Sequence, residues 1–200
     1  MPGVLDEGGS GDGMYYDWTY GRIHFAALNS ESNLDTPMFS WEQKRWAKKD
    51  LSLINRAKYP WSIAHFHRPL YCAKSHDCGK MLMKQGLEDL LVENKVDMAL
   101  VGHEHTYERT HPVKNFEKQA DGAAPVYMLQ GSSGNREGNS GTYPPLEELP
   151  DWVANVHNQI GFGVLTQSFD GKSLLWSFYE SATMQKLDEE IYIKHDVEEV

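Results

Sequence analysis

Cysteine, basic charge and long apolar runs are all scarce in this sequence of 200 residues. Its two cysteines, Cys72 and Cys78, are too few to staple a whole fold. They could close one short loop by a disulfide in an oxidising compartment or remain free thiols, and the absence of a Cys-x2-Cys spacing argues against a zinc knuckle. Nineteen basic against 29 acidic side chains leave a formal charge of −10. Such a surface repels a phosphate backbone, so nucleic-acid binding through a basic face is not expected. No apolar run approaches the roughly 20 residues that cross a bilayer, so no membrane partner is expected either. The first residues lack the basic-then-apolar order of a signal peptide, and no Asn-x-Ser/Thr sequon occurs.

What is present is enough for one domain with a sizeable core: 40% hydrophobic and 12% aromatic residues. Strand-like alternation over 14–18 and 22–28 flanks Tyr20-Gly21, which predicts a hairpin. Ser40, three residues before Gln43, has the spacing of a capping box, and a helix follows through Trp46, Ala47, Leu51 and Ile54 until Pro60. Trp61 to His65 reads as a buried strand. A second helix is expected from about Lys80 to Asn94, with Met83, Leu87, Leu90 and Leu91 on one face. Val96 to Val101 reads as a strand covered on both faces. Strand, helix, strand predicts parallel neighbours whose carboxyl ends share one sheet edge. Val126 to Gln130 is a further strand, followed by a glycine-rich loop from Gly131 to Gly141 and a proline-rich excursion. The tail alternates as antiparallel strands, with Asp170-Gly171 as a hairpin turn.

Nine histidines are the high count, and histidine is the commonest metal ligand. His103 and His105 follow the 96–101 strand on a turn, so both imidazoles can face one side while Glu104 faces away. His65 and His67 repeat that arrangement after the preceding strand. Two histidine pairs at one sheet edge favour a metal site over simple packing. His65 reads as a group that orients a ligand. His24, His111, His157 and His195 read instead as ordinary hydrogen-bonding or surface groups.

Tyr15-Tyr16 through Tyr20-Gly21, His24-Phe25, Ser30-Glu31, Gln43, Trp46, Pro60-Trp61, His67-Arg68-Pro69 and the run from Gly102-His103-Glu104-His105 to Thr110 resemble the purple acid phosphatases of the metallophosphoesterase superfamily. The likeness continues through Gly131 to Gly138 and into the closing strands. It implies an α/β fold: part of a β-sandwich with a mixed sheet flanked by helices, in one partial catalytic domain over 1–200 whose 160–200 segment is the family's closing strand region. It also implies a binuclear centre of Fe(III) with Zn, Mn or Fe(II) and a phosphate monoester as substrate. By the same resemblance His67 and His103 bind the divalent metal, His105 binds the ferric ion, and His76 faces the substrate as proton donor. Tyr107 and Arg109 then lie next to the ligands or the substrate. The family's compartments are secreted, vacuolar or lysosomal.

A ferric centre also needs hard oxygen donors, and the family's earlier aspartate, Gly-Asp-x-x-Tyr and Gly-Asn-His-Glu motifs are not found in place. Gly11-Asp12-Gly13-Met14-Tyr15 matches one of them by letter but sits directly before the hairpin, and reads as coincidence. Met1-Pro2-Gly3 resembles a stretch that the family shows just after Gly-Asn-His-Glu, so the sequence is expected to be the carboxy-terminal half of the domain, holding at most one divalent ion. Such a half should expose a sheet edge and an apolar face, giving a dimer or aggregate. Two functions are compatible with this: a phosphomonoesterase whose other ligands come from a preceding segment, or a non-catalytic truncated product that keeps a metal- or protein-binding surface. A phosphodiesterase of the same superfamily shares Gly-His-x-His but not the extended match.

Overall fold

The structure, a computed structural model, describes residues 9–11, 13–31, 38–139 and 141–194; Asp12, His195 and the opening Met1-Pro2-Gly3 lie outside them. A mixed sheet of seven strands organises the chain. β1 (Tyr16–Tyr20) and β2 (Ile23–Ala27) form the expected hairpin. β2, β3 (Trp61–His65), β4 (Met98–Val101) and β8 (Val126–Gln130) are parallel neighbours. β5 (Tyr107–Thr110) runs antiparallel beside β8, and β9 (Val153–His157) lies antiparallel outside β5. The small ribbon of β6 (Val113–Lys114) and β7 (Glu117–Lys118) interrupts the run from β5 to β8. A second sheet of three antiparallel strands, β10 (Gly161–Gln167), β11 (Ser173–Glu180) and β12 (Lys186–Ile193), completes a sandwich.

Strand alternation sends side chains to two cores. Ile63, Met98, Val126 and Met128 meet Leu174, Trp176 and Phe178 of the second sheet. Ala64, Ala99, Val101 and Tyr127 face the helices, against Ala47, Leu51, Leu87 and Leu91. β4 is thus covered on both faces, as its apolar run predicts.

Ser40 caps α1 (Trp41–Ser52) by accepting from the Gln43 amide at 3.2 Å. The return half of the box is not made. Gln43 instead accepts from the Asn29 amide at 2.6 Å and donates to the Asn29 carbonyl at 2.8 Å, tying the helix to the end of β2. The helix also stops before Pro60: Asn55 starts a separate turn, accepting from the Lys58 amide with both its carbonyl and its side chain.

The second predicted helix is two. α2 (Lys80–Lys84) closes on Gly86, whose φ of 82° is left-handed, and α3 (Leu87–Glu93) starts there. Glycine takes that conformation without the steric cost a side chain would bring. The apolar spacing runs on across the break, so periodicity alone does not reveal it.

Candidate metal centre

Parallel pairing continues past the ends of β3 and β4, since the Phe66 amide donates to the Leu100 carbonyl and the Gly102 amide to the His67 carbonyl. This lays His67 beside Gly102, and the next residue, His103, turns over it. His103 has φ 72°, a left-handed conformation that costs a non-glycine residue of order 1–3 kcal/mol. The turn sets His103 Nδ1 3.1 Å from His67 Nε2, with the rings nearly perpendicular.

Arg68 fixes the proton on that pair. Its Nη1 lies 3.2 Å from His103 Nε2. A guanidinium only donates, so Nε2 accepts, and in the neutral ring Nδ1 holds the proton and donates to His67. Burial first, then the charges of Arg68 and His67, hold the His103 pKa below its usual value, which keeps the ring neutral. Arg68 is itself held: its Nε donates to both Glu31 carboxylate oxygens at 3.0 Å, and its amide donates to Ser30 Oγ at 2.9 Å.

His105 does not complete a cluster with His67 and His103; its Nδ1 lies 3.7 Å from Glu137 Oε2, on an exposed loop. Gly131 makes room for the turn at His103, because a side chain there would strike the Glu104 carbonyl. His65 packs edge-on against Trp18, and burial lowers its pKa. His76 sits on the 72–78 loop closed by the Cys72–Cys78 disulfide, with its ring against Phe116.

Tyr107 and Arg109 stand elsewhere than at a substrate. Both point from β5 into the sandwich. Arg109 grips Asp188 of β12 through Nε and Nη2, at 2.7 and 3.0 Å, and donates to Glu190 at 3.0 Å. The Tyr107 hydroxyl donates to Asp188 at 2.6 Å, accepts from Trp176 Nε1 at 2.8 Å, and its ring stacks on Phe178. Burial pushes the Asp188 carboxyl up, but the hydrogen bonds from Arg109 and Tyr107 outweigh it and leave its pKa below the ordinary range.

The opposite face of β5 holds Glu108, which is assigned no role from the sequence. Buried, it accepts from the Ala73 amide of the disulfide loop at 2.7 Å and stands 2.5 Å from the Tyr143 hydroxyl. Tyr143 also lies 2.9 Å from Thr106 Oγ1, whose own proton goes to the His157 carbonyl at 3.0 Å. Tyr143 has one proton for two acceptors, Thr106 Oγ1 and Glu108 Oε1. Burial raises the Glu108 pKa, and the bonds from Tyr143 and Ala73 only partly offset it. The network links β5, the disulfide loop and the loop bearing Tyr143 around one flank of the histidines.

His67 and His103 bring two imidazole ring nitrogens face to face, a ligand type that suits a borderline divalent ion. Among the described residues, no third His, Cys or carboxylate donor stands within 4.8 Å of both.

The family model of the calcineurin-like phosphoesterases matches residues 4–107, more than half of the chain, and that of the iron/zinc purple acid phosphatase-like protein C region matches residues 124–189. The chain is 38% identical over 134 residues to purple acid phosphatase 15 of Arabidopsis thaliana, covering 66% of this chain and 24% of that protein. It is 33% identical over 179 residues to purple acid phosphatase 18 of the same plant, covering 88% and 39%. With acid phosphatase type 7 of Danio rerio it shares 30% over 184 residues, covering 77% and 41%. The chain therefore spans about a quarter to two fifths of the length of these curated relatives. Among solved structures, a purple acid phosphatase from yellow lupin seeds superposes with a TM-score of 0.71 at 24% identity, covering 90% of this chain and 32% of that one. The anchor protein GAP50 of the Plasmodium inner membrane complex gives 0.60 at 18%, covering 90% and 53%. With the sandwich, the helical layer and the histidine pair at the ends of β3 and β4, these matches place the chain in the calcineurin-like phosphoesterase family, on its purple acid phosphatase branch.

Proposed function

We propose that this chain contributes the divalent-metal side of a binuclear centre that hydrolyses phosphate monoesters. The observation that carries the reading is the approach of His67 Nε2 to His103 Nδ1 at 3.1 Å, at the carboxyl ends of two parallel strands. These two nitrogens would hold Zn, Mn or Fe(II) with the His103 proton moved from Nδ1 to Nε2, and His105 would serve an adjacent Fe(III). Bound metals would supply a nucleophilic hydroxide and neutralise phosphate charge.

The chain's own residues prepare that site. Arg68 sets the orientation of the His103 ring, and Glu31 and Ser30 set Arg68. The disulfide loop presents His76, which would return a proton to the leaving alkoxide, and Glu108 anchors that loop through Ala73. A Cys72–Cys78 bond suits an oxidising compartment, in keeping with a secreted, vacuolar or lysosomal enzyme.

Metal analysis after zinc loading and dialysis tests the ligand assignment: His67→Ala and His103→Ala should each retain one zinc fewer than the unaltered chain. Equal zinc in all three would overturn it. Hydrolysis of 4-nitrophenyl phosphate by the chain joined to a preceding segment that supplies the remaining ligands, loaded with zinc and iron, should be lost in His103→Ala; activity indifferent to that change would overturn the proposed chemistry.

A further inference from the structure

Three elements, β1, β2 and α1, bring a second group of metal-ligand side chains together. In the β1–β2 pair, His24 stands opposite Thr19 and Ala26 opposite Asp17, so Asp17 and His24 are diagonal neighbours on one face. The last turn of α1 crosses that face and brings Asp50, whose Oδ2 lies 2.8 Å from His24 Nε2. One donor atom from each of Asp17, His24 and Asp50 lies within 4.8 Å of the other two. Among the described residues no other three His, Cys or carboxylate side chains meet this closely.

His24 is only 6% exposed, while the carboxylates open onto a cavity of about 400 Å3 lined also by Thr19, Trp46, Lys49, Asn55 and Tyr59. Two carboxylates against the single ammonium of Lys49 leave a wall that attracts a cation. Asp17 registers the crowding: burial, then the charge of Asp50, raises its pKa.

We infer that Asp17, His24 and Asp50 form a binding site for a divalent transition-metal ion, separate from the His67–His103 pair and independent of the hydrolytic reading above. Two carboxylate oxygens and one imidazole nitrogen are a donor set for Zn(II) or Mn(II), and the cavity side leaves further positions for water. With ligand distances of about 2.0–2.2 Å, donors stand about 3.3–3.6 Å apart, so Asp50 and His24 need only separate slightly from their present contact. No residue of the sequence motif Gly102 to Thr110 takes part, which makes the two sites separable by mutation.

The test uses the metal-stripped chain carrying His103→Ala and zinc chloride as titrant. One zinc should still bind, and adding Asp17→Asn with Asp50→Asn should weaken that binding by at least the roughly 100-fold that loss of even an outer-shell partner can cost. Unchanged affinity in the folded triple variant would overturn the site. Should that variant not fold, imidazole 15N resonances of the His103→Ala chain decide: zinc should displace the His24 Nε2 signal. A His24 signal that stays still under saturating zinc overturns the inference, whatever His67 and His105 do.

Discussion

The two faces of β5 solve the problem of a buried acid in opposite ways. On one face the strand offers Arg109 to Asp188, and the carboxylate stays ionised with its pKa held low. On the other, Glu108 meets only neutral donors, Tyr143 and the Ala73 amide, and its pKa is held high. Adjacent residues of one strand thus carry a charge-paired clamp between sheets and a carboxyl held by neutral donors on the other face. Burial is similar on both sides; a guanidinium within hydrogen-bond reach decides the protonation state.

The comparison breaks most visibly at Asp188. Asp188→Ala leaves Arg109 buried with most of its charge uncompensated, a change that costs about 3–5 kcal/mol, to be read as a lower urea midpoint with unchanged slope. Glu108→Ala should cost less, about 1–3 kcal/mol, because it strands neutral donors, and the Ala73 amide should lose protection from hydrogen exchange. Opening the disulfide beside it by Cys72→Ser with Cys78→Ser should cost about 2 kcal/mol by loop-closure entropy for so short a ring.

Acid titration sharpens the contrast through its sign. The Asp188 clamp contributes in full above the unfolded carboxyl value of 3.8 and is lost only as pH falls through its lower folded value. Glu108 contributes in full below its unfolded value of 4.5 and is lost as pH rises through its higher folded value. Together the pair is most stabilising between those two values, in mild acid. Glu108→Gln, which keeps a donor for Tyr143 and an acceptor for Ala73, should change stability at pH 4.5 by less than about 0.5 kcal/mol and flatten the decline from there to pH 7. A loss as large as that of Glu108→Ala would show that the acid is ionised in the fold.

The contrast also marks what local sequence can carry. β3, β8 and the Asp170-Gly171 turn are legible because apolar runs and turn residues state their own structure. Tyr107-Glu108-Arg109-Thr110 has no apolar run, yet all four residues are buried in a strand, with Arg109 paired to a carboxylate 79 positions later. The break at Gly86 is hidden because the apolar spacing of α2 runs on into α3. At the site, the meeting of His67 and His103 is legible from strand order. Asp17, His24 and Asp50 do not stand together in any one motif; the crossing of α1 over the hairpin joins them.

The place of β5 has a consequence in time. It is hydrogen-bonded between β8 and β9, both made after it, and its arginine answers an aspartate 79 residues further on. At about 5–20 residues per second of synthesis, Arg109 is made some 4–16 s before Asp188 exists. Through that interval the second sheet is incomplete, and the guanidinium of β5 is without the clamp that joins it to β12.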